Sequence, residues 1–256
     1  MIRRRGPLVI TAALFAGTYL LWHQLTASGT VHAVVLPTPS SVGESLTEVV
    51  QRDTFAEHLR VTATEVLAGF ALGSISAILL ALVCERSRAV RRLLTPYMVA
   101  LQALPKVVLL PLLYVWFGVG YRATTVMVVL VVFFPVYLNT LTGLSIADPD
   151  GTRLLRSLGA TPRQRFRYHQ VPSALPLIFT GLKTAVYFAV AAALAAELLG
   201  ARHGLGFLIA SSGNFLRIPD LYATVLIAGV FSGLVYLTFE VLDRKLIYWR
   251  PRDDRR

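Results

Sequence analysis

Six long apolar stretches constrain the fold of this chain more than any other feature of its sequence. Each is about 20 residues long, the length of α-helix that crosses roughly 30 Å of hydrocarbon. Polar residues, glycines and prolines separate the stretches, so each can form a helix of its own. We predict spans at residues 7–25, 61–83, 96–117, 123–144, 177–198 and 221–242. The chain is therefore predicted to be an all-α polytopic membrane protein, with residues 1–256 forming a single transmembrane domain.

The composition agrees with a membrane protein and excludes several other classes. Hydrophobic residues make up 55% of the 256 residues and only 15% are charged, against about 25% in soluble domains. The net charge of +11 comes without the basic-aromatic patch or zinc-finger spacing of nucleic-acid-binding proteins. The one cysteine, Cys84, excludes an internal disulfide. The scattered histidines show no metal-ligand spacing, and no Ser-His-Asp or paired-carboxylate arrangement is found in the spans. We predict neither a metal site nor an enzyme.

The positive charges predict which side of the membrane each segment faces. Cytoplasmic segments of membrane proteins carry an excess of Lys and Arg. Eighteen of the 25 basic residues fall before span 1, between spans 2 and 3, between spans 4 and 5, or after span 6, whereas five fall on the other side. Both termini should therefore be cytoplasmic. The basic residues 3–5 also suit a signal peptide, but the apolar stretch after them is long for one, so we expect a retained first span.

The polar segment between spans 4 and 5, also predicted to be cytoplasmic, carries the signals of two short helices. Asp148 or Asp150 can cap the first helix, and Gly159 suits the left-handed conformation that ends it. Thr161 can cap the second, with Pro162 at its first position, where a missing N–H costs nothing. A chain that only crossed the bilayer would have no use for such an element. We therefore expect residues 148–176 to be a docking surface for a soluble partner. The alternative is an amphipathic helix resting on anionic headgroups.

The same segment resembles a known loop. Residues 153–161 (RLLRSLGAT), followed by VPSALP at 171–176 and TGL at 180–182, are similar to the EAA loop of permease subunits of ABC importers. The spacing from Gly159 to Pro172, Pro176 and Gly181 is typical of that loop. Further stretches resemble the nitrate/sulfonate/taurine branch of this family. They are LPTP at 36–39, HL at 58–59, GF at 69–70, LPK at 104–106, PL at 111–112, WFGVG at 116–120, FFP at 133–135, NT at 139–140, AEL at 196–198 and GLG at 204–206.

The resemblance implies a type I ABC importer in the bacterial inner membrane, with this chain as its transmembrane permease. The implied partners are a second permease copy, a cytoplasmic ABC ATPase dimer and an extracytoplasmic solute-binding protein. No cofactor is expected in this chain, because ATP and Mg belong to the ATPase. The solute would be small, either an oxyanion such as nitrate or an organic compound such as a sulfonate, taurine or a vitamin precursor. The residues that the resemblance assigns to ATPase coupling are Thr152, Arg153, Leu154, Leu155, Arg156, Leu158, Gly159, Ala160, Thr161 and Pro162.

The sequence departs from the family pattern at three places. Arg153-Leu154-Leu155 stands where the loop usually has Glu-Ala-Ala, and Val171 stands where it usually has leucine. Glu65 stands where this branch usually has an arginine, which disfavours an anionic solute.

Three ionisable residues fall within or beside predicted spans, namely Glu65, Lys106 and Glu197. A charge in the bilayer is costly, so such a residue should face a cavity or pair with an opposite charge. One interpretation places all three on the translocation path. The alternatives are a structural pair of Glu65 with Lys106 or Arg60, a lysine that snorkels to one face, and a solvated Glu197. If the chain were an ion-coupled secondary transporter instead, the three would be its coupling groups.

The chain has no phosphate-binding loop. Lys183 follows Gly181 closely, but no glycine-rich turn precedes it and the segment enters a span. We expect Lys183 to snorkel to the cytoplasmic headgroups. The energy for transport must then come from another subunit or from an ion gradient.

Overall fold

The computed structural model describes residues 5–146 and 148–247, and within these ranges the ordered elements are helices without strands. A 3-10 turn at Lys106–Leu109 precedes the helix that begins at Leu110, and a π-helical segment at Phe166–Gln170 joins the short helix that begins at Pro162 to the long helix that begins at Val171. The helices are α1 (Arg5–Ala27), α2 (Pro39–Gln51), α3 (Phe55–Arg86), α4 (Arg88–Ala103), α5 (Leu110–Phe117), α6 (Tyr121–Ser145), α7 (Pro149–Ser157), α8 (Pro162–Arg165), α9 (Val171–Gly200), α10 (Leu205–Asn214) and α11 (Ile218–Leu246). The prediction of an all-α fold is confirmed.

Four helical rods are long and apolar enough to cross a membrane within the described residues. They are α3, α6, the continuous rod Pro162–Gly200, and α11. A fifth candidate is the pair formed by α4 with Lys106–Phe117, if this bent pair counts as one span. Helix α1 covers the first predicted span, 7–25, with 23 residues. The count of six spans therefore stays a prediction, and the structure supports a multi-pass protein.

The third predicted span, 96–117, is not one straight helix. The chain bends by 88° between α4 and the Lys106–Phe117 segment. Leu104 adopts an extended conformation (φ −67°, ψ 131°) directly before Pro105. A proline ring disfavours helical dihedrals in the preceding residue and removes an N–H from the helical ladder. The helix of the predicted third span is therefore broken at Pro105, and the span itself stays a prediction.

The fifth predicted span begins much earlier than expected. Instead of a separate short helix followed by a span at 177–198, one helical rod runs for 39 residues from Pro162 to Gly200. The π-helical segment keeps it continuous, because the Val171 N–H bonds to the Phe166 carbonyl five residues back. Pro172 lies at the start of α9, directly after the π-helical segment. The second short helix and the fifth span, which we expected to be separate, are therefore one rod.

The core lies where α6 packs along both α3 and α9. Small residues let the helices approach closely, as is usual for helices in lipid. A Cβ at Gly69 would lie 2.5 Å from Val128 Cβ, and one at Gly73 would lie 2.9 Å from the Val129 carbonyl oxygen. On the other side of α6, alanines of α9 such as Ala193 are fully buried. These small residues of α3 and α9 therefore serve the internal packing of the bundle.

Helix α2 covers the start of α11. The Arg52 guanidinium forms an ion pair with the Asp220 carboxylate (2.7 Å). The Tyr222 hydroxyl donates to the Val35 carbonyl (3.0 Å), and the Trp22 indole N–H donates to the Pro37 carbonyl (2.9 Å). These bonds tie the segment between α1 and α3 to one end of the bundle.

We predict that Gly69→Ala destabilises the purified protein, because its Cβ would overlap Val128. Overpacking of this kind costs about 1–3 kcal/mol, which corresponds to a melting temperature lower by several degrees in a protein of this size. The matched control is Gly229→Ala on α11, where a Cβ meets nothing within 4 Å. Thermal unfolding in detergent measures both variants, and an equal loss in both would contradict the packing of α3 on α6.

Candidate functional site

At one end of the bundle, side chains of α3 and α9 hold the first turn of α10. The Gly204 N–H donates to His58 Nδ1 (3.0 Å), and the Leu205 N–H donates to Thr62 Oγ1 (2.8 Å). The Gly206 N–H donates to Glu197 Oε2 (2.6 Å). The first N–H groups of a helix have no partner within the helix. Here three consecutive N–H groups are satisfied by side chains from two other helices.

The Glu197 carboxylate is the centre of this network, which we call the α10 anchor (His58, Thr62, Glu197 and the backbone of residues 204–206). The Thr62 hydroxyl donates to Glu197 Oε1 (2.6 Å), so both carboxylate oxygens accept a hydrogen bond. Glu197 is buried, and the positive end of the α10 dipole faces its charge. Gly204 has φ +115°, and a Cβ there would collide with the Glu197 carboxyl group. Only glycine suits this position.

Glu65 lies beside the anchor and not beside a basic residue. It is 1% exposed, and its carboxyl group lies within hydrogen-bonding reach of Glu197 and Thr124. Its Oε2 atom has no hydrogen-bond partner among the described residues. The predicted pairing of Glu65 with Lys106 or Arg60 was wrong, because the α3 face that carries Glu65 packs against α6 and α9.

Lys106 lies at the elbow between α4 and α5. Its Nζ donates to the Gln102 carbonyl (3.2 Å) and lies 4.7 Å from the centroid of the Phe134 ring. A cation over an aromatic face is stabilised by the ring quadrupole. The structure therefore brings Glu65 and Glu197 together and leaves Lys106 apart. A role for the three on the translocation path stays a prediction.

At the opposite end of the bundle, the segment between α6 and α9 forms a capped knob, which we call the 148–170 knob. The Asp148 carboxylate accepts from the N–H groups of Asp150 and Gly151 (3.1 Å each), so Asp148 is the cap of α7. Gly159 has φ +77°, and the Ala160 N–H bonds to the Leu155 carbonyl (2.9 Å), as at a helix end of the Schellman type.

The start of α8 also has the predicted cap. The Thr161 hydroxyl accepts from the Gln164 N–H (3.3 Å), and Gln164 Oε1 accepts in return from the Thr161 N–H (2.8 Å). This reciprocal pair is a capping box. His169 braces the knob, because its Nε2 lies 3.0 Å from the Asp148 carbonyl oxygen and its ring lies against Gly151.

The knob presents apolar side chains to its surroundings. Leu154, Leu158 and Tyr168 are all exposed, and Leu158 is 73% exposed. A shallow pocket of about 290 Å³ lies between α7 and α8. It is lined by Leu155, Leu158, Gly159, Ala160, Gln164 and Tyr168. Apolar groups on an otherwise arginine-rich surface are typical of a protein contact site.

Two groups of contacts could not be assigned from the sequence. His58 and Gly204 both fall in stretches that carry the family resemblance, but only the fold shows that they meet across 146 positions. Lys183 forms ion pairs with Glu240 (3.0 Å) and Asp243 (2.5 Å) of α11. The expectation that Lys183 snorkels to the headgroups was therefore wrong. Glu240 and Asp243 near the end of the last span were the sequence feature that could have indicated acidic partners for Lys183.

Comparisons with known proteins agree with this architecture. The family described as the binding-protein-dependent transport system inner membrane component matches residues 69–248. The formylaminopyrimidine transport permease protein ThiX of Halalkalibacterium halodurans is 31% identical, over 97% of this chain and 99% of its own. The taurine transport system permease protein TauC of Escherichia coli is 28% identical, over 97% of this chain and 94% of its own.

Two solved structures share the fold. An amino acid ABC transporter crystallised with histidines aligns with a TM-score of 0.62 and 18% identity, over 80% of this chain and 98% of that chain. The methionine ABC transporter MetNI in inward-facing conformations aligns with a TM-score of 0.58 and 19% identity, over 79% of this chain and 98% of that chain.

The helical rods and these matches define the class as a multi-pass transport protein of the membrane. The chain belongs to the binding-protein-dependent transport system inner membrane component family. It is the permease subunit of an ABC importer and not an enzyme, since ATP hydrolysis in this family occurs in a separate ATPase. Membership of this family implies two kinds of partner, the separate ATPase and a solute-binding protein.

We predict that Thr62→Val loosens the first turn of α10. The variant removes the bond to Glu197 and leaves the buried Leu205 N–H without an acceptor, which costs about 1–3 kcal/mol. Hydrogen exchange at Leu205 should then be roughly ten to a hundred times faster, read by mass spectrometry of the purified protein. The control is Thr64→Val, an exposed neighbour whose hydroxyl bonds only to the Val61 carbonyl. Unchanged exchange at Leu205 in Thr62→Val would contradict the anchor.

Proposed function

We propose that this chain forms half of the translocation path of a homodimeric type I importer in the bacterial inner membrane. Residues 1–256 would act as one permease domain with six spans and both termini in the cytoplasm. The excess of basic residues on one side supports this orientation. The structure is consistent with it, since the 148–170 knob and the α10 anchor lie at opposite ends of the rod Pro162–Gly200.

The observation that carries the proposal is the exposed, doubly capped knob under the bundle. Its backbone is held by Asp148, Gly159 and the Thr161 capping box, so its shape does not depend on a partner. Its exposed leucines have nothing to pack against within the described chain. A rigid projection with apolar contacts suits a groove on a soluble protein better than a lipid headgroup layer. We propose that the 148–170 knob binds a groove on the cytoplasmic ATPase dimer.

The covalent continuity of the knob with α9 explains how force would reach the path. Helix α8, the π-helical segment and α9 form one rod of 39 residues. His169 connects this rod to the cap of α7. A displacement of the knob by the ATPases would therefore tilt α9, and α9 carries Glu197 at its far end. Rigid-body movement of this kind is a common way to switch a transporter between states.

The relatives suggest the range of solutes. The names of the related permeases refer to aliphatic sulfonates, taurine, formylaminopyrimidine and riboflavin. We propose that this chain likewise passes a small organic or oxyanion solute, delivered by an extracytoplasmic binding protein. The chain would need no cofactor, with ATP and Mg bound by the ATPase. An ion-coupled secondary transporter is not favoured, because such a carrier would have no use for the capped knob.

We predict that Leu158→Glu uncouples transport by placing a charge in the ATPase contact. A buried apolar contact at the centre of an interface is worth about 2 kcal/mol or more, so recovery of the ATPase with the permease should fall at least tenfold. The control is Val34→Glu, a residue of similar exposure (65%) near the opposite end of the bundle. Co-purification and ATP-driven uptake in proteoliposomes measure the effect. Full uptake by Leu158→Glu, or uptake driven by a proton or sodium gradient without ATP, would contradict the proposal.

A further inference from the structure

A basic groove of about 500 Å³ lies along the first half of α4. All of its lining residues belong to this helix, at a spacing that places them on one helix face: Arg88, Arg91, Arg92, Thr95 and Pro96. A different stripe of α4 packs on the core through three partly buried residues, Val90, Leu94 and Met98. The groove therefore opens to the surroundings of the bundle and not to its interior.

The positive charge of this groove is mostly left without a counter-charge. Arg88 and Arg92 are exposed, and neither forms an ion pair or a side-chain hydrogen bond within the part of the chain that the structure describes. Arg91 donates to the Ser145 hydroxyl (3.2 Å), and the Glu85 carboxylate lies 3.9 Å from its guanidinium. The first turn of α4 contains no acidic residue. Like charges at this spacing repel each other, so an anion from outside the chain would stabilise the groove.

The exposed surface of α4 changes from basic to apolar along the helix. Val99 follows Pro96 by about one turn on the same face, and its side chain is 62% exposed. Tyr97 and Leu101 are exposed beside it. Helices that lie at a membrane surface combine arginines with apolar and aromatic residues in this way. A basic half followed by an apolar half matches a phospholipid, in which the phosphate is joined to acyl chains.

The groove lies at the end of the bundle that carries the 148–170 knob. Helix α4 begins two residues after Arg86, the last residue of α3. Arg86 lines a small cavity together with residues of the knob and of the start of α9's rod, namely Pro162, Arg163, Phe166 and Gln170. The excess of basic residues predicts that this end faces the cytoplasm. Clusters of arginine beside membrane helices attract anionic lipid headgroups there.

We propose that this groove binds an anionic phospholipid, with Arg88 and Arg92 on its phosphate and the acyl chains along Val99. A guanidinium binds phosphate oxygens through paired hydrogen bonds. A soluble anion would contact the arginines alone, whereas a phospholipid would also cover the apolar half of the helix. No residue of α4 is fully buried, so the lipid would hold the start of α4 and thereby the bend that follows at Pro105. The inference goes beyond the proposed function, because the site requires neither the solute nor the ATPase.

Three probes separate the contribution of the charge from that of the acyl chains: dioctanoyl phosphatidylglycerol, dioctanoyl phosphatidylcholine and glycerol phosphate. Each is added to the full-length chain in a non-ionic detergent, and the apparent dissociation constant is obtained from the rise in melting temperature with concentration. We expect phosphatidylglycerol to bind about tenfold or more tightly than either other probe, because it alone combines a net negative charge with acyl chains. Equal binding of the two lipids, or glycerol phosphate binding as tightly as phosphatidylglycerol, would overturn the proposal.

Matched substitutions locate the lipid on the molecule. Arg88→Gln combined with Arg92→Gln should remove the preference for phosphatidylglycerol over phosphatidylcholine. The control is Arg122→Gln combined with Arg202→Gln, which removes the same charge from two exposed arginines of the predicted outer side and should preserve the preference. Because Arg88 and Arg92 are exposed, their replacement should leave the fold intact. A preference that persists in the Arg88 and Arg92 variant, or that is lost equally in the control, would overturn the assignment to this groove.

Discussion

The need to pair every backbone N–H and carbonyl within the protein governs this structure. Lipid offers no hydrogen bonds, so a helix that starts inside the bundle must find partners for its first N–H groups. Helix α10 does so with His58, Thr62 and Glu197, which come from two different helices. The anchor therefore fixes three elements at once. Any movement of α9 carries the Glu197 carboxylate, and with it the start of α10.

The two ends of the rod Pro162–Gly200 have different physical characters. The end near Glu197 is buried and polar, with carboxyl groups enclosed by helices. The end near Leu158 is exposed, and its shape is maintained by local caps alone. A rod that is rigid along its length can transmit displacement from the exposed end to the enclosed one. This arrangement gives a permease without its own ATP site a means to respond to a partner that has one.

The cap of α7 and the turn at Gly159 were predictable because they depend on a few adjacent residues. Asp148, Thr161 and Pro162 each act within one turn of their own position, so local sequence is sufficient. The 88° bend at Pro105 was not predicted from the sequence. A proline within an apolar stretch can either kink a helix or end it, and the sequence does not distinguish the two outcomes. The pairing of Lys183 with Asp243 was missed because it joins residues 60 positions apart.

The sequence by itself determined the helical class, the apolar rods and the capped knob, because these follow from composition, short-range periodicity and local caps. The family was indicated by the resemblance of the loop between spans 4 and 5 to a known motif. Only the tertiary structure decided the partners of the buried charges. It placed Glu65 beside Glu197 rather than Lys106, and it put Thr62 under the start of α10. Contacts of this kind depend on which faces of α3, α6 and α9 meet. Close packing at Gly69 and Gly73, where α3 lies against α6, contributes to that choice.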